Sequence, residues 1–60
     1  MKKIIILDFS TAEVHVFPYD DNVWKDAEDF ITDENENGSI ALSLSNCQWM
    51  ITDDLNIQIH

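Results

Sequence analysis

The longest unbroken apolar run in this chain, Ile4-Ile5-Ile6-Leu7, lies within Lys3–Phe9 and constrains everything around it. Consecutive β-branched residues favour an extended backbone, and a run without polar alternation describes a strand that is central or covered on both faces. Such a strand needs neighbours along its edges and a layer over at least one face. Sixty residues must supply all of this. At usual domain sizes they make one small domain, residues 1–60, and a chain this short buries only about 60% of its unfolded surface. A deep enclosed catalytic cleft is therefore not expected. The run is also too short for a membrane span or a signal peptide.

The remaining elements can be read around this strand. After the polar break Ser10-Thr11-Ala12, Glu13 to Phe17 alternates, with Val14 and Val16 on one side and His15 and Phe17 on the other. That pattern predicts a hairpin, with Pro18 ending the second strand because proline offers no N–H to a ladder. Asp20-Asp21-Asn22 is a run of capping residues before a stretch of helical period, so a helix is predicted over 22–33. At about 100° per residue, Val23, Trp24, Ala27, Phe30 and Ile31 share an arc of roughly 120°. Asn37-Gly38 is expected to close the helix, the glycine taking a left-handed cap.

Residues 39–44 alternate at Ile40, Leu42 and Leu44 and read either as a strand or as an extended connector. Ser45-Asn46 marks a turn, Cys47 to Thr52 is strand-like, and Asp53-Asp54 turns again before Leu55, Ile57 and Ile59 alternate with polar residues. The predicted class is α+β: a small antiparallel sheet with one amphipathic helix on one face, ordered ββα and then a C-terminal β-hairpin. Phe17, Tyr19, Trp49 and Met50 are expected on the face that a single helix leaves bare. A homodimer burying them would add stability that small domains commonly lack.

The charge is the second constraint. Three Lys or Arg against twelve Asp or Glu give a formal charge of −9. Asp20, Asp21, Asp26, Glu28, Asp29, Asp33, Glu34 and Glu36 are eight carboxylates against Lys25 alone, or −7 within seventeen residues. Asp26, Asp29, Asp33 and Glu36 follow helical spacing and form a line of like charge. Each such pair costs about 0.2–0.5 kcal/mol, and acids near a helix C-terminus cost a further ~0.3–1 kcal/mol each. A local rule broken without local compensation points to a functional site. Asp26, Glu28, Asp29, Asp33 and Glu36 are therefore the expected partner-binding face, and the partner is a basic protein, including one that binds nucleic acid. Four acids spread over about 15 Å give one charge per ~4 Å, close to the ~3.4 Å spacing of a single nucleic-acid strand. In size, charge and near-absence of arginine the chain resembles the small acidic anti-restriction and anti-CRISPR inhibitors. That resemblance implies an inhibitor or DNA mimic. Direct nucleic-acid binding is opposed by the charge.

Asp33-Glu34-Asn35-Glu36-Asn37-Gly38-Ser39-Ile40 resembles the first eight positions of an EF-hand loop, with oxygen ligands at Asp33, Asn35 and Asn37. The pattern then departs, because the position of the bidentate Glu is Leu44. A weak calcium-binding loop is the most that it implies, and no metal or other cofactor is expected. Cys47 is the only thiol and reads as a strand residue, as does His15; Asp8 and Glu13 read as hairpin-end residues. With no nucleophile–base pattern or phosphate loop, the chain is not expected to be an enzyme. One cysteine excludes an intramolecular disulfide framework, which fits a reduced, cytoplasmic setting.

Leu7-Asp8-Phe9-Ser10, Glu13-Val14-His15-Val16 and Ser45-Asn46-Cys47-Gln48-Trp49-Met50 resemble segments of small acidic proteins from bacterial mobile-element and phage gene neighbourhoods. The resemblance extends over most of the chain. It implies a setting, and no activity comes with it.

Overall fold

The computed structural model, which describes residues 1–38 and 40–60, puts the isoleucine run where its composition demands. The central strand, β1 (Lys2–Asp8), is flanked by β2 (Glu13–Tyr19) and β3 (Cys47–Thr52), both antiparallel to it. One helix, α1 (Ala27–Asn37), lies on one face. The α+β class and the ββα order hold.

Register decides which side chains meet. Ile4 pairs with Phe17 and Ile51, Ile6 with His15 and Trp49, and Asp8 with Glu13 and Cys47. Directly opposed residues point to the same face, so all of these lie on the side that α1 covers. Ile4, Ile6 and Ile31 are fully buried there, together with Tyr19, Ala27, Phe30, Leu42 and Cys47. Phe30 is the hub: its ring lies 5.3 Å from Phe17, 6.1 Å from Tyr19 and 4.9 Å from Trp24.

The C-terminal hairpin does not form. Its first strand exists as β3 and pairs with β1, but residues 55–60 form no strand, and Ile57 and Ile59 are exposed. A tight two-residue hairpin turn takes glycine or another residue at positive φ, and Asp53-Asp54 supplies neither. Instead Thr52 Oγ1 donates to the Asp54 carbonyl at 3.0 Å.

The helix also starts later than its capping signals predict, and runs over 27–37 in place of 22–33. Asp20 builds a turn: its carbonyl accepts from the N–H groups of Val23 (3.0 Å) and Trp24 (3.1 Å), and its carboxylate from Asn22 N–H (2.9 Å). This turn brings Trp24 back over Tyr19, with ring centroids 5.7 Å apart and Tyr19 Oη donating to the Trp24 carbonyl. The true cap is Asp26, which accepts from Asp29 N–H at 2.9 Å.

Pro18 does not end β2, which runs on to Tyr19. β2 is an edge strand, where a missing N–H on the solvent side breaks no ladder. Gly38 follows α1 at φ −94°, so it is not a left-handed cap. Its role is room: a Cβ here would stand 2.6 Å from the Glu34 carbonyl oxygen and closer still to the Glu34 carboxyl. Of the ambiguous 39–44 segment, Ser39 lies outside the described residues. Residues 40–43 are a connector, and Leu44–Asn46 form one 3₁₀ turn. Asn35 clamps the connector, donating to the Leu42 carbonyl at 2.7 Å and accepting from Leu42 N–H.

Two substitutions test these backbone assignments with opposite signs. Ala12, in the β1–β2 turn, has φ 57°, a left-handed position that costs a residue with a Cβ about 1–2 kcal/mol. Ala12→Gly should raise stability by ~0.5–1 kcal/mol after glycine's unfolded-state entropy is set against the relief, or a few degrees in Tm. Gly38→Ala should lower stability by roughly 1–3 kcal/mol through overpacking. Thermal unfolding followed by circular dichroism reads both.

Candidate functional site

On α1 the buried side is set by Ala27, Phe30 and Ile31. Turning about 100° per residue places Glu28, Asp29, Asp33 and Glu36 within an arc of roughly 140° on the opposite side, along about 12 Å of axis. All four are exposed. Asp26 stands just before them at the cap, and Glu34 turns towards the sheet side, half-buried. The five residues expected as a partner-binding face therefore share one surface.

They do not share one role. Asp26 caps the helix, and Asp29 reaches back to Lys25 N–H at 3.3 Å. Asp33 accepts from the Trp24 indole N–H at 3.2 Å and from the Asn37 amide at 2.9 Å. Asp26, Glu28 and Asp29 lie at the helix N-terminus, where the macrodipole favours negative charge, so the cost anticipated for the line is partly removed. It persists at the other end, where Asp33, Glu34 and Glu36 occupy the last turns with no basic residue. Among the described residues, Lys2 pairs with Asp21 (3.5 Å) and the His15 ring lies 3.9 Å from the Glu13 carboxylate; neither contact engages the helix face. The block is felt in the core as well. The Tyr19 phenol is pushed above its ordinary pKa, first by burial and then by the charges of Asp26, Asp21 and Asp29.

The calcium-loop residues do not converge. Asp33, Asn35 and Asn37 all lie within α1, and Asn35 points about 160° away from Asp33 around the axis. Asn35 is committed to Leu42 and Asn37 to Asp33, so the described residues form no EF-hand-like cradle.

The expected dimer contacts are redistributed. Phe17, Tyr19 and Trp49 lie on the covered face, Tyr19 fully in the core and the other two packed against it. Only Met50 lies on the bare face. Trp49 and Met50 are consecutive in a strand and must point to opposite sides. The bare face is built instead from Ile5, Leu7, Val14, Val16 and Met50, the last four between 39% and 63% exposed. None of the residues that the strands place on it is acidic.

At the hairpin end of the covered face, the ligand atoms of Asp8, Glu13 and His15 lie within 4.8 Å of one another. Asp8 is buried and accepts from Ser10 N–H (3.0 Å) and Ser10 Oγ (2.6 Å). The Ser10 hydroxyl, against the opposing pull of burial, holds its carboxyl below the ordinary value. His15 stacks on Phe17 at 6.1 Å, and its Nε2 is buried without a hydrogen-bond partner, a state that costs about 1–3 kcal/mol. Sequence reading treats these three residues separately. Only the register that opposes Asp8 to Glu13 and Ile6 to His15 unites them. Beside them the Cys47 thiol is pushed up by burial and then by the Asp8 charge, which opposes a nucleophilic role.

The division of labour among the acids predicts opposite stability effects. Asp26→Ala should cost about 1 kcal/mol through the lost cap, whereas Glu36→Gln should add roughly 0.3–1 kcal/mol by removing charge from the helix C-terminus. Urea unfolding at low ionic strength measures both. No family model matches the chain, and neither the curated proteins nor the solved structures contain a match.

Proposed function

We propose that this chain is a non-enzymatic acidic interaction protein that binds a basic partner through Asp26, Glu28, Asp29, Asp33 and Glu36, as an inhibitor or nucleic-acid mimic. The carrying observation is the unpaired helix face: four exposed carboxylates along about 12 Å, with no cation within ion-pair distance among the described residues. A groove lined with Lys or Arg would supply the missing countercharge, most usefully at Glu36, where the macrodipole opposes the acid. The resemblance to proteins of mobile-element and phage neighbourhoods supports such a setting. In the described residues no helix is long and apolar enough to cross a membrane.

The experiment must separate charge from fold. Asp26, Asp29 and Asp33 support local structure, so neutralising them confounds binding with stability. Among the described residues, Glu28 and Glu36 accept no side-chain hydrogen bond and carry charge alone. Partners captured from a native-host lysate by the wild-type chain should be released by rising salt and by added duplex DNA, and should bind Glu28→Gln/Glu36→Gln several-fold more weakly. Capture that is indifferent to salt and to the double substitution would overturn the reading.

The bare sheet face favours a second reading, assembly with another copy of this chain. A −9 molecule meets its own kind with least repulsion through the surface whose strand residues include no acid. That dimer should survive high salt in analytical ultracentrifugation and be lost in Val16→Glu; a monomer at both low and high salt would remove it.

A further inference from the structure

We propose that Asp8, Glu13 and His15 form a binding site for a divalent transition-metal cation, zinc(II) foremost, at the hairpin end of the covered sheet face. The three come from two adjacent strands whose register holds them on one side: Asp8 opposes Glu13, and His15 follows two residues on, facing Ile6. Their ligand atoms lie within 4.8 Å of one another. His15 Nε2 stands 3.9 Å from Glu13 Oε1, too far for a hydrogen bond. It is somewhat wider than the roughly 3.4 Å between two ligands of a tetrahedral zinc, which sits about 2.0–2.2 Å from nitrogen or oxygen. A small rotation of the exposed Glu13 closes the remaining gap.

A second observation points into the same space. His15 Nε2 is buried and has no hydrogen-bond partner, and it lies on the side of the ring that approaches Glu13. A ring nitrogen kept from water without a partner is what a cation between these groups would explain. Asp8 is already fixed for the role, since Ser10 donates twice to its Oδ1 and orients the carboxylate, as outer-shell donors do at metal centres. The ligand types select the ion. One imidazole with two carboxylates suits zinc and its borderline neighbours, whereas calcium and magnesium take oxygen alone and more of it. Three protein ligands leave a position open for water or an exogenous ligand.

Zinc(II) titration of the full chain by calorimetry, in physiological salt, tests the site. One ion per chain should bind, the His15 imidazole resonances should shift with it, and about a hundredfold excess of magnesium should not displace it. Glu13→Gln removes an exposed ligand without touching the core and should weaken binding at least ~10-fold, as should His15→Gln, while His60→Gln should leave it unchanged. Should His15→Gln fail to fold, Glu13→Gln and the wild-type resonances decide. Absence of saturable binding, displacement by magnesium, or undiminished affinity in Glu13→Gln would each overturn the proposal, leaving only diffuse attraction of cations to an acidic chain.

Discussion

Burial of Ile4 and Ile6 beneath α1 is the constraint on which the rest depends. A three-stranded sheet with one helix has a single core layer, and these two side chains are its floor. Each has a flanking strand on both sides and Phe30 or Ile31 in the layer above, so neither neighbouring strand can slip by one residue without turning its core set to water. The register fixed in this way does more than pack the core. It places Asp8, Glu13 and His15 on one face, brings the aromatic residues Phe17 and Tyr19 under Phe30, and leaves the small residues Val14 and Val16 outside.

The carboxylates divide by role. Asp8, Asp20, Asp26 and Asp29 accept hydrogen bonds from their own turn or cap, and Asp33 accepts from the Trp24 indole and the Asn37 amide. Glu28 and Glu36 are exposed and project charge outward. An acidic composition therefore hides two populations. One is architectural and would persist in any chain with these turns. The other, Glu28 and Glu36 on α1, has no such structural task among the described residues.

Sequence alone reveals the elements whose signal has no competitor. The isoleucine run has no polar alternation and can only be central; Ala27, Phe30 and Ile31 recur at helical spacing and are buried together. It is silent where two chemically equal options stand side by side. Asp20 and Asp26 are equally good caps, and only the stacking of Trp24 on Tyr19 makes the first a turn and the second a helix start. In β2 the side of Val14, Val16 and Pro18 carries no polar residue, yet it is the side of Glu13, His15, Phe17 and Tyr19 that meets the helix. The size of Phe17 and Tyr19, matched to Phe30, settles it. The Asp8, Glu13 and His15 cluster is hidden for the same reason, since it exists only across a register. Gly38 shows the converse: its identity is legible, but its reason is space beside Glu34 and not handedness.

The two outward surfaces lie on opposite sides of the sheet, and this separates their physics. Contacts made by α1 are electrostatic between exposed groups and weaken as the Debye length contracts, to about 8 Å at physiological ionic strength. Contacts made by Leu7, Val14, Val16 and Met50 are apolar, and salt strengthens them if it acts at all. Because the sheet separates the two, one can be occupied without displacing the other, and a second copy on the bare face would leave both helices free. In such a pair the two acidic helices would lie on opposite outer sides and face away from each other, so each would meet a partner of its own.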